Sequence, residues 1–202
     1  MDKIIITGNS AALDADGLAN DVAYSGGGYA LSANSAGDSL AHLITILGNA
    51  ITNHSAKTIT VTGTGPGGEP QSEGIAGPNG NVTVTTTKHF LTVTSVTVSA
   101  TTGADTFDIG WTAESVSAWK VIDSRVETFN IGFGCVVVSG SPTYTVQQTY
   151  GDASLTPFAH ATVSAETTSQ EGVYTSPVQA IRLKWTAAGE VTFVGRQATR
   201  NL

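Results

Sequence analysis

Three features of the 202-residue sequence predict a mainly β protein of two β-sandwich-like modules, with a loop-rich N-terminal segment and at most one short helix. The first is composition: 12% of residues are charged, 23 are Gly, and roughly a quarter are Ser or Thr. The second is a period of two in the apolar residues of 57–195, the spacing that places side chains on one face of a strand. The third is turn chemistry: Gly- and Pro-containing clusters recur between the alternating runs, as in sandwiches and barrels.

Composition also narrows function. The net charge is −7 and the pI about 4.8. Nine scattered Lys and Arg cannot neutralise much of a phosphate backbone, so no nucleic acid is expected. The apolar runs are shorter than the roughly 18 residues of a membrane helix, so no membrane is expected. A single Cys supports neither a disulfide framework nor a Cys-rich metal site.

Taken in order, the chain opens with Ile4, Ile5 and Ile6, a run too brief for a secretory signal and readable as a first strand or docking arm. Residues 8–40 are mostly Ala, Gly, Ser, Asn and Asp. They read as a mobile loop that orders against a partner, with Tyr24 and Tyr29 as contacts. Residues 39–51 read equally as a helix, from Leu40, Ile44 and Leu47, or as an Ile- and Thr-rich strand. Residues 1–56 thus form an N-terminal arm and loop-rich segment.

From residue 57 the alternation starts. Ile59 and Val61 lead into the turn GTGPGGEP, and Asn79-Gly80 signals a hairpin before Val82 and Val84. Phe129, Ile131, Phe133, Cys135 and Val137 alternate cleanly, with Cys135 in phase as a buried hydrophobe. A Gly140-Ser141-Pro142 turn precedes Tyr144, Val146 and Tyr150. Residues 93–110 and 178–195 echo each other: both shift phase after the first Val and then run through a turn into a final strand. The shift predicts a bulge or bend near Thr94-Ser95 and another near Gln179-Ala180. Two β modules follow, 57–112 and 118–202, with Trp111 and Trp119 packing at the linker and Trp185 in the core.

Chemistry is sparse. His42, His54, His89 and His160 show no metal-ligand spacing. Asp14, Asp16 and Asp21 resemble half of a calcium loop; the remaining ligands are missing, so an Asx-turn is the expected reading and calcium binding the minor alternative. Glu69 and Glu73 could meet Asp105 and Asp108 only if the sheet joined them, and all sit among turn residues. Neither a nucleophile elbow nor a phosphate loop occurs. No catalytic, cofactor or metal residue is expected, and no enzyme.

Two segments carry a resemblance. KTITVTGTGPGGEPQSEGIAGPNGNVTVTTTKHFLTVTSVTVS, and SPTYTVQQTYGD with FAHATVSAETTSQEGVYTSPVQAIRLKWTAAGEVTFVG, together cover most of 57–195. They resemble the Thr/Val/Gly-rich β stretches of tailed-bacteriophage virion proteins. The resemblance implies a virion component assembled in the host cytoplasm, above all a capsid decoration (auxiliary head) protein. Its partners would be the major capsid protein or neighbouring virion proteins, with a homo-oligomer, a trimer included, expected. The candidate interaction residues are Ile4, Ile5, Ile6, Tyr24, Tyr29, Trp111 and Trp119. The alternatives are a neck, tail or head-fibre component, or a receptor- or glycan-binding module using Trp111, Trp119, Tyr144 or Tyr150.

Overall fold

The computed structural model describes residues 2–126, 129–151 and 157–197. Strands make up 63% of it and no helix occurs among the described residues, so residues 39–51 resolve as a strand. The protein is mainly β and sandwich-like. Two compact units divide the chain: residues 12–115, and residues 1–11 together with 116–202. The second unit is therefore assembled from both ends of the sequence. The expected segment 1–56 is shared between the two units, because its first strand pairs with the last strand of the chain.

Residues 12–115 contain β2 (Asp14–Ala23), β3 (Gly28–Tyr29), β4 (Ala41–Gly48), β5 (Thr58–Thr64), β6 (Pro70–Ala76), β7 (Thr83–Phe90), β8 (Thr92–Val98) and most of β9 (Thr106–Val116). One sheet has the order β3-β8-β5-β6; in the other, β4 lies between β9 and β7, with β2 on β9. Ile59 and Val61 of β5, Val93 and Val96 of β8, Ile44 and Ile46 of β4, and Phe107 and Ile109 of β9 share one buried core with Leu18 and Trp111. Alternation explains β5, whose Thr residues point out while Ile59 and Val61 are fully buried.

Several expectations change. Residues 8–40 are not a free loop, because β2 pairs with β9 and buries Leu18 and Ala19. The close approach of β2 is possible because Gly110 has no side chain: a Cβ there would lie 1.9 Å from the Asp14 carbonyl oxygen. The GTGPGG turn does join β5 to β6 as a hairpin, closed by Gly65 N–H donating to the Glu69 carbonyl at 2.8 Å. Asn79-Gly80 is a turn but not a hairpin, since β6 pairs with β5 and β7 with β4. The bulge near Thr94-Ser95 is present: Thr62 faces Ser95 and Gly63 faces Val93, leaving Thr94 as the extra residue.

The other unit contains β1 (Asp2–Ser10), β10 (Lys120–Val121), β11 (Ile131–Thr149), β12 (Phe158–Ala159), β13 (Gln170–Tyr174) and β14 (Ala180–Gln197). β11 and β14 pair antiparallel along their length; β1 and β10 flank β14, and β12 and β13 flank β11. Gly140-Ser141-Pro142 is not a turn between strands. It lies within β11, where register shifts between Val137 and Thr143 bend the pair and Gly140 meets Gly189. Both glycines have positive φ, 77° and 145°, which side-chain-bearing residues rarely adopt. The second copy of the echo has no turn; at Gln179-Ala180 the chain bends at Gln179 and β14 begins without a bulge.

Candidate docking face

Four strands of the second unit form a sheet in the order β1-β14-β11-β13. Strand alternation sorts their residues into two faces. Inward rows run Ile4-Gly195-Phe133-Gly172 and Ile6-Phe193-Cys135-Gln170. Ile4, Ile6, Phe133, Cys135 and Phe193 are buried, and Phe133 stacks on Phe193 with ring centroids 4.8 Å apart. Burial pushes the Cys135 thiol up to about 12, as expected of an inert core thiol.

Outward rows run Lys3-Arg196-Gly132-Val173, Ile5-Val194-Gly134-Glu171 and Thr7-Thr192-Val136. Large apolar side chains stand open on this face: Ile5 is 48% exposed, Val136 50% and Val173 49%. At the centre, Gly132 and Gly134 leave a shallow groove of about 550 Å³, bordered by Asn130, Glu171, Val194 and Arg196. A Cβ on Gly132 would meet no atom within 4 Å. The glycine serves no packing need inside the protomer, and Gly in a strand interior lowers stability relative to Ala. Lys3 and Arg196 stand directly opposite each other, and no carboxylate among the described residues pairs with either. Like charges in that arrangement are unfavourable. The face is thus an apolar, glycine-floored surface with a cationic margin.

The expected contact residues distribute unevenly. Ile4, Ile6, Tyr29 and Trp111 are core residues, and Trp111 donates its indole N–H to the Ala12 carbonyl at 3.0 Å. Trp119 is half-buried under the Arg182 guanidinium, 4.5 Å from its ring centroid, and Tyr24 is half-buried against the core of residues 12–115. Ile5 alone among the seven stands on the open face. The N-terminal strand is no mobile arm, since β1 is paired from Asp2 to Ser10. Gly132, Gly134, Val136, Val173 and Val194 were not singled out by sequence reasoning. Part of the signal was present: the outward positions of β11 read Gly, Gly, Val at 132, 134 and 136, where β5 has Thr.

The polar clusters are engaged internally. His42 lies between the Thr112 carbonyl at 2.9 Å and the Asp38 carboxylate at 2.8 Å. His54 bridges Asp105 at 2.9 Å and Lys57 at 3.0 Å, and His89 meets Glu114 at 3.1 Å. Asp105 is held below the usual carboxylate range by hydrogen bonds from Thr52 and then from His54. Asp14 accepts from the Asp16 N–H, Asp16 from Asn20, and Asp21 from Asn49 and Thr106, so the three carboxylates take separate partners. Glu73 accepts from the backbone of Thr87 and Lys88, while Asp108 accepts from the Asp21 N–H and Asn49. The structure does not bring the four candidate acids together. Among the described residues no group of three His, Cys, Asp or Glu could hold a metal.

No protein-family model, curated protein or solved structure matches the chain.

Proposed function

We propose that the chain is a non-enzymatic virion structural protein of a tailed bacteriophage, a capsid decoration protein that docks on the major capsid protein or a neighbouring virion protein. The resemblance of residues 57–195 supplies the class. The observation that carries the docking role is the open face around Gly132 and Gly134, with Ile5, Val136 and Val173 exposed together on one side of the sheet. Exposed apolar groups gathered around a groove mark interaction surfaces. Each Å² of apolar area covered there contributes about 25 cal/mol, repeated at every site of a lattice. The stiff sheet beneath the face keeps the ordering cost of docking low.

The test is copy number and occupancy. Densitometry of purified virions should give on the order of hundreds of copies, as repetition on a symmetric shell requires. Val136→Asp, at an exposed position, should leave the fold intact and strip the protein from particles. Full occupancy by that variant refutes docking through this face; absence of the chain from virions refutes the class.

A second reading, glycan or receptor binding, is favoured by Tyr150 and Phe158. They are 57% and 54% exposed and pack edge-on with centroids 5.7 Å apart. Of the other aromatics expected in that role, Trp111 and Tyr144 are buried. Glycan binding by the wild-type protein that is lost in Tyr150→Ala would favour this reading over capsid docking.

A further inference from the structure

The outer edge of β1 is an open strand. Among the described residues β1 pairs only with β14, over nine residues and without a register break. In an antiparallel sheet alternate residues point their N–H and C=O groups away from the paired neighbour. Along residues 3–9 those groups meet no partner among the described residues. The edge also lacks the usual protection: residues 3–9 hold no Pro and no bulge, and Lys3 is their only charge. The strand's inward side chains, Ile4 and Ile6, are already covered. What remains available is the backbone edge and the outward row.

We infer that this edge pairs with the same edge of a second copy, antiparallel about a two-fold axis at Ile5. The sequence selects this occupant because it is self-complementary in one register. A two-fold axis perpendicular to the sheet keeps inward residues inward only if the paired residue numbers sum to an even value, since a one-residue slip reverses every side chain. Centring on Ile5 sets Ile4 against Ile6 on the inner face and Ile5 against Ile5 on the outer face. Lys3 falls opposite Thr7, so no like charges meet. Centring on Ile4 instead places Lys3 opposite Ile5, and centring on Ile6 places Ile5 opposite Thr7. The Ile5-centred pairing continues the outward apolar row from Gly134 and Val194 through Ile5 into its symmetry mate. It joins two docking faces into one, in a closed, isologous dimer. The inference concerns the β1 edge alone and does not require the virion assignment.

Mass measurement by light scattering and sedimentation on the full chain, from about 1 to about 100 µM, reads the outcome directly because a weak dimer depends on concentration. The wild type should reach twice the 20.6 kDa protomer mass. Ile5→Lys and Ile5→Glu each place like charges across the axis and should remain at protomer mass. Mixing the two should restore a heterodimer, an outcome that misfolded variants cannot give. As a variant-independent check, Ile5→Cys treated with diamide should form a covalent dimer on a non-reducing gel, because Cys135 is buried. A wild type that stays at protomer mass throughout overturns the inference. So does an oligomer unaffected by Ile5→Lys, or a mixture that stays monomeric. A wild type that dimerises yet is absent from purified virions would instead count against the proposed function alone.

Discussion

Two glycines on neighbouring strands of one sheet should respond in opposite ways to the same added methyl group. Gly172 faces inward, directly opposite Phe133. A Cβ at Gly172 would lie 2.4 Å from Phe133 Cζ and 3.1 Å from His160 Cε1. Restoring ordinary contact requires the Phe133 ring to move by about 1 Å, since carbon atoms pack at about 3.5–4.0 Å. The ring has little room to retreat: it is stacked on Phe193 at 4.8 Å, edge-on to His160 at 5.0 Å and tilted against Tyr174 at 5.4 Å. Overpacking of this kind costs about 1–3 kcal/mol. Gly132 faces outward with no atom within 4 Å of its notional Cβ. Ala at that position should stabilise by about 0.5–1 kcal/mol through the unfolded chain. Gly172→Ala and Gly132→Ala should therefore differ by about 1.5–4 kcal/mol. Urea unfolding followed through the fluorescence of buried Trp185, in the same unit, measures the difference. With a slope of about 1–3 kcal/mol per molar, the midpoints should separate by about 1 M. Midpoints that agree within error would show that the inward and outward faces have been misassigned.

Four further outcomes follow from the described contacts. Phe193→Ala removes a fully buried ring and should cost about 3–5 kcal/mol, read as a lowered urea midpoint. Cys135 should resist an aromatic disulfide reagent in the native protein and react on unfolding; rapid native labelling would contradict its burial. Burial holds His160 below its ordinary 6.5, so the folded state resists a proton that the unfolded chain accepts. That contribution is complete above pH 6.5 and lost as pH falls, and His160→Gln should flatten the slope below it. Asp105, held below its ordinary 3.8 by Thr52 and His54, contributes above that value and loses its contribution in stronger acid. Asp105→Asn should accordingly reduce the acid sensitivity of unfolding, and an unchanged acid limb would contradict this.

Much of the strand content was legible because one-sided burial leaves a period of two. β5 and the first half of β11 show it, and Ile59, Phe133, Cys135 and Trp185 lie in the core as their phase requires. The Thr94 bulge was legible for the same reason, since a phase change inside a continuous strand needs an extra residue. β4 was ambiguous because it buries residues on both faces, which erases the alternation and leaves a spacing that also suits a helix. β2 was missed because its order comes from β9, more than 80 residues away in sequence by the Ala19–Ile109 pair, and local composition carries no trace of that pairing. Gly140-Ser141-Pro142 has turn chemistry, but pairing across β11 and β14 absorbs it as a bend. The candidate face was half legible: the outward Gly and Val of β11 could be read in sequence, whereas the neighbours Ile5, Val194 and Val173 come from the sheet order.

Because β1 pairs with the last strand of the chain, Asp2 facing Gln197, the order of synthesis and the order of folding differ. Residues 12–115 emerge with all their own strands and can close first. At about 5–20 residues per second, β1 then waits about ten seconds or longer for β14. During that interval Ile4, Ile5 and Ile6 lack their native neighbour and both edges of β1 are open. A nascent chain beside another on the same message therefore has a window in which its first strand can complete the wrong copy's sheet. Slower translation of residues 116–197 should lengthen that window and raise the yield of strand-exchanged species.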